Sequence, residues 1–64
     1  MTVNERVYRY GGYISIPCYI NPNYISDIHD ILDNDYRVIV MKDGRQICVN
    51  DSYKVLMEKI NHDN

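Results

Sequence analysis

The chain reads as a small α+β domain: an antiparallel sheet of two β-hairpins with a C-terminal helix packed on it. Three features of the sequence carry this. Gly11-Gly12 separates two runs rich in Tyr, Val and Ile, Asp43-Gly44 separates two β-branched runs, and Tyr53, Leu56, Met57 and Ile60 recur at helical spacing near the end.

The first hairpin is Val7-Tyr8-Arg9-Tyr10, then Gly11-Gly12, then Tyr13-Ile14-Ser15-Ile16. Two glycines supply the positive φ angles that primed turns demand, so a two-residue loop sets Tyr10 opposite Tyr13, Arg9 opposite Ile14 and Tyr8 opposite Ser15. Val7, Ile14 and Ile16 then form an apolar side, and Arg6, Tyr8, Tyr10, Tyr13 and Ser15 share the other. Pro17 ends this ladder or marks an edge.

Asn21-Pro22-Asn23 is a turn signal that equally suits an N-cap followed by Pro at the first helical position. Ile25, Ile28, Ile31 and Leu32 fit a helical period, whereas Ile28, Asp30 and Leu32 alternate. The segment is read as a turn of helix over residues 22–26 and a short strand to about Leu32. A second hairpin follows: residues 36–42, Asp43-Gly44, and residues 45–49. A two-residue loop sets Val40 opposite Ile47 and Val38 opposite Val49, one strongly apolar face, and leaves Ile39, Met41 and Cys48 on a second face that seeks cover from another chain or from the first hairpin. Asp51 or Ser52 caps the final helix.

Sixty-four residues make a single domain over residues 1–64. Such a chain buries only ~60% of its unfolded surface and nets roughly 3–5 kcal/mol from its core, so disulfides, a metal or oligomerisation are the usual supplements. Cys18 and Cys48 are the only cysteines, and no signal segment opens the chain. The expectation is a soluble, cytoplasmic protein with two free thiols. Homo-oligomerisation through Ile39, Met41 and Cys48 is the expected supplement.

A net charge of −2 does not suit a protein that grips duplex DNA by its phosphates. Arg37, Lys42 and Arg45 around the second turn form an expected secondary basic patch. Seven tyrosines with no Phe or Trp favour contact surfaces, since each ring carries a hydroxyl that needs a partner.

No nucleophile and base are paired, and neither His29 nor His62 belongs to a catalytic motif, so the chain is expected to be no enzyme and to use no cofactor. A calcium loop starting at Asp33 fails, with Arg37 at its fifth position and Val38 where Gly is required. Zinc fails on ligand spacing. Arg6, Tyr8, Tyr10 and Tyr13 remain: rings for stacking and a guanidinium for phosphate or carboxylate, the combination that holds nucleotides and single strands.

From Ile20 to Ile60, the Ile20-Asn21-Pro22 turn, Ile25, Ile28, the runs around Lys42-Asp43-Gly44 and the helix through Val55 resemble short FlbD-type flagellar accessory proteins. The element order is also similar to LytTR-type DNA-binding domains. The chain departs from both. It has Asp33-Asn34-Asp35 where FlbD-type proteins carry a Thr-Pro-Asp turn, and it lacks the basic residues LytTR-type domains present to DNA. The resemblance implies a small sheet with a helix, and as alternatives a flagellar accessory role or a DNA-binding regulator. The Tyr-, Asn-, Asp- and Ile-rich make-up resembles small phage-encoded proteins. The leading expectation is a homo-oligomeric inhibitor or regulator, from a phage or a bacterium, that sequesters an anionic, nucleotide-like ligand or a host protein.

Overall fold

A computed structural model describes residues 1–30 and 35–62. In it β1 (Thr2–Arg9), β2 (Gly12–Tyr19), a 3₁₀ turn (Pro22–Tyr24), β3 (Ile25–Asp30), β4 (Arg37–Met41), β5 (Gln46–Val49) and α1 (Tyr53–His62) follow in order. The strands form one antiparallel sheet in the spatial order β2-β1-β5-β4-β3. The α+β architecture read from the sequence is the one observed. The helical turn stops at Tyr24, two residues short of the expectation, with Asn21 as its cap accepting from the Asn23 N–H. The expected strand end at Leu32 and the acidic bend at Asp33 lie outside the described residues.

Both hairpins close differently from the expectation. In the first, Tyr10 and Gly11 form the turn with φ of 55° and 81°, and the register is Tyr8 opposite Tyr13, Val7 opposite Ile14 and Arg6 opposite Ser15. The ladder has slipped by two residues. Each side chain therefore keeps its face, but Tyr10 leaves the strand for the turn. A left-handed Tyr costs about 1–2 kcal/mol. The same register pairs buried Met1 with buried Ile20 at the far end of the ladder.

In the second hairpin the loop is Lys42-Asp43-Gly44, three residues with Gly44 at φ 92°. Met41 N–H donates to Arg45 O at 2.8 Å and Gly44 N–H to Met41 O at 2.9 Å. The Asp43 carboxylate accepts from the Arg45 N–H at 3.0 Å and Nε at 2.8 Å. These Arg45 contacts hold the exposed Asp43 carboxyl below the usual carboxylate range, the backbone bond contributing most. A one-residue slip of register exchanges faces. Ile39 now lies opposite Ile47, and Val38 opposite Cys48.

The consequence is a correction. Ile39 and Met41, expected at an oligomer interface, are 0% and 4% exposed in the core with Met1, Val3, Ile20, Val49 and Leu56. Cys48, Val38 and Val40 occupy the opposite face, half-buried and outside that cluster. Ile25, Ile28 and Ile47 pack against the core, as does Ile60 of α1. The helix covers this face and leaves the other open.

Ser52 caps α1, its Oγ accepting from the Val55 N–H at 3.2 Å. Asp51, 8% exposed, ties three elements. Its carboxylate accepts from Asn4 N–H at 2.7 Å, Asn4 Nδ2 at 3.4 Å and Lys59 Nζ at 3.1 Å, while Lys59 also donates to Thr2 O. No described helix is long and apolar enough to cross a membrane.

Asp51→Ala orphans a backbone N–H and a lysine at a part-buried join, a cost of about 2–3 kcal/mol against a net stability of roughly 3–5 kcal/mol. Urea denaturation should show that loss, and Lys59→Met, which leaves the buried Asp51 carboxylate without its cation, should cost a comparable amount. No loss in either variant would deny the join its role. Tyr10→Asn places a residue tolerant of positive φ in the turn and should stabilise by about 0.5–1 kcal/mol. Calorimetry should show Tm rising by several degrees; a fall would mean the Tyr10 ring contributes more than its backbone costs.

Candidate functional site

The open face is defined by strand parity. Residues opposite one another share a side, so Arg6, Tyr8, Tyr13 and Ser15 lie away from Val3, Val7 and Ile14, which share the side of buried Val49. Tyr8 and Tyr13 are 62% and 61% exposed, and their rings meet edge to face at 5.2 Å. The Arg6 guanidinium stacks over Tyr13 at 4.0 Å and lies 5.2 Å from the ring of Tyr36, which precedes β4. Arg6 Nη1 also donates to Asn50 Oδ1 at 3.4 Å, and Asn50 Nδ2 donates to Ser15 Oγ at 2.6 Å.

Three of the four residues expected from the sequence are therefore together: Arg6, Tyr8 and Tyr13. Tyr10 is not with them. It projects fully exposed from the turn, because the slipped register removes it from the ladder. Tyr36 and Asn50 complete the cluster, and the sequence held no local signal for either. Both arrive because β1 lies beside β5 and β5 beside β4, an order set by long-range pairing.

Among the described arginines and lysines Arg6 is the half-buried one without a carboxylate partner; Arg9, Lys42 and Lys54 also have none but are exposed. Arg37 pairs with Asp30 at 3.0 Å, Arg45 with Asp43 at 2.8 Å and Lys59 with Asp51 at 3.1 Å. Rings and an amide surround the Arg6 guanidinium, and no described carboxylate pairs with it. A half-buried guanidinium in that setting is open to an anion.

The secondary basic patch is not assembled. Arg37 opens β4 while Lys42 and Arg45 flank the loop after its other end, about 15 Å away at strand rise, and both arginines are already paired. A small pocket at that loop is lined by Tyr24, Met41, Lys42, Asp43 and Arg45, remote from Arg6. His29 lies 3.1 Å from Asp27, both well exposed. Among the described residues no group of three or more His, Cys, Asp or Glu could hold a metal.

No protein-family model, curated protein or solved structure matches this chain. The likeness to FlbD-type and LytTR-type proteins rests on the quoted residues alone.

Cys18 stands opposite Val3 on the helix-covered side and Cys48 opposite Val38 on the open side. Both are free thiols, and the sheet separates them. A reducing agent should leave Tm unchanged within error, and alkylation of the unfolded protein should label both sulfurs. A single label, or a Tm that drops on reduction, would contradict the placement.

Proposed function

We propose that this chain is a non-enzymatic binding protein that sequesters an anionic, nucleotide-like ligand on the open face of β1 and β2. The observation that supports this is the Arg6 guanidinium, set between the rings of Tyr13 and Tyr36 without a carboxylate partner. Its planar fork matches a phosphate, and the exposed rings of Tyr8 and Tyr13 supply surfaces on which a base can stack. Sequestration needs affinity and no reacting group, so an inhibitor or regulator is the role in keeping with it. A net charge of −2 argues against duplex DNA as the ligand.

A host protein that places a phosphate or carboxylate on Arg6 is the second reading. The exposure of Tyr8 and Tyr13 favours it, because rigid rings and Arg are the residue types of interface hot spots.

Thermal-shift and tyrosine-fluorescence titrations with mononucleotides, cyclic dinucleotides, short single-stranded oligonucleotides and inorganic phosphate test the first reading. A ligand at 100 times its Kd adds about 2.7 kcal/mol, which for a domain this small raises Tm by roughly 10 °C or more. Arg6→Gln should weaken binding about tenfold or more, Tyr13→Ala comparably, and Arg9→Gln on the other side hardly at all. No shift with any of these ligands, or an Arg6→Gln variant that binds as tightly as the parent, would sink the nucleotide reading.

A further inference from the structure

β2 is an edge strand, and the parity of its ladder with β1 decides which of its backbone groups face outward. Met1 N donates to Ile20 O at 2.7 Å and Ile20 N to Met1 O at 2.9 Å, so this pair exchanges both bonds. Antiparallel ladders alternate, so the hydrogen-bonded pairs continue at Val3/Cys18, Glu5/Ile16, Val7/Ile14 and Arg9/Gly12. Tyr13, Ser15, Pro17 and Tyr19 therefore direct their backbone groups away from β1. The same alternation turns Asn4 toward β5, where the Asn50 N–H meets Asn4 O at 2.8 Å. Pro17, lacking an N–H, stands at an outward position and removes nothing from the β1–β2 ladder.

The two edges of the sheet are unlike. β3 carries Asp27, His29 and Asp30 and a register shift between Ile25 and Asp27, features that discourage pairing with another chain. β2 has no charged residue along its whole length. In a two-fold contact the residue on the axis meets its own copy and its neighbours lie close to theirs, so a charge near the axis would repel its counterpart. The uncharged edge is the one that tolerates self-pairing, and Ile14 on it is 44% exposed.

We propose that β2 pairs antiparallel with β2 of a second copy about a two-fold axis at Ile14. This register sets Tyr13 opposite Ser15 of the second copy, and Ser15 opposite Tyr13 of the second copy, so the outward N–H and C=O groups of these residues are all bonded. Pro17 falls opposite the Gly11 turn, outside the ladder. Centring the axis on Ser15 would instead set Pro17 against Tyr13 and leave a carbonyl without a donor on each side. About Ile14, the two Ile14 side chains become a non-hydrogen-bonded pair with Cβ atoms about 4.5–5.5 Å apart. Ile16 meets Gly12, which has no side chain to obstruct it. The pairing stands independently of the ligand reading above.

Sedimentation across a dilution series, with amide exchange by NMR, tests the pairing on the full chain. The expected result is a dimer at micromolar concentration, with Tyr13 and Ser15 amides that exchange slowly and more slowly as concentration rises. Ile14→Lys, which sets like charges across the axis, and Ser15→Pro, which removes an outward N–H at a parity where Pro17 is already accepted, should each raise the dimer Kd about tenfold or more, with the circular dichroism of the parent. A monomer throughout, or a dimer that neither variant weakens, would overturn the proposal. Were both variants to unfold, rapid exchange at Tyr13 and Ser15 in the parent would overturn it equally, and slow, concentration-dependent exchange would support it.

Discussion

Asp51 holds the sheet and the helix in one arrangement. It follows β5 directly and precedes the helix cap Ser52, so its carboxylate lies where β1, β5 and α1 converge. Burying a carboxylate is costly unless it is paired and hydrogen-bonded. Here Asn4 supplies two donors and Lys59 a third. Around this join Val3, Val49 and Leu56 are wholly buried, one from each of the three elements. With one α-helix among the described residues, fixing α1 on this side leaves the opposite side of the sheet uncovered by a helix. The candidate site exists because Asp51 commits the helix elsewhere.

The first hairpin is supported by the sheet at one end and by itself at the other. β1 pairs with β5 at the single position Glu5/Val49, and the Asn4–Asn50 bond lies just beyond it. Towards the turn, the contacts are cross-strand ones: Tyr8 against Tyr13, and Arg6 over Tyr13. Each is worth roughly 0.5–1.5 kcal/mol. The rings that would meet a ligand thus also stiffen the arm that carries them. A ligand stacking on their outer surfaces would meet side chains already ordered, at little entropic cost.

What the residues reveal and what they hide follows from parity. Gly11-Gly12 and Asp43-Gly44 both mark hairpins, but Gly-rich dipeptides serve two-residue and three-residue loops alike. In the first hairpin the error was two residues, so Arg6, Tyr8 and Tyr13 stayed on one face and the core of the site was legible. In the second the error was a single residue. Ile39 and Met41 moved from an expected surface into the core, and Val38 and Val40 moved out. The alternation of apolar residues could not arbitrate, because Val38, Ile39, Val40 and Met41 are apolar on both faces. Tyr36 and Asn50 were hidden for a separate reason, since their approach to Arg6 depends on which strands become neighbours.

Exposed edges invite aggregation, and β3 meets that hazard with charge and an irregular register. β2 meets it only with Pro17, which stops a ladder from running the full strand and leaves the Tyr13–Ser15 stretch open. A stop at one end permits a short, closed pairing and forbids an extended one, the pattern suited to a dimer more than to a fibre. Residues opposite across such a pairing share a face, so the open faces of two copies would lie on the same side of one continuous sheet. Tyr13 of one copy would then adjoin Ser15 of the other. Two Arg6 centres would be presented side by side, and a ligand long enough to touch both would gain from their linkage without any new contact within either copy.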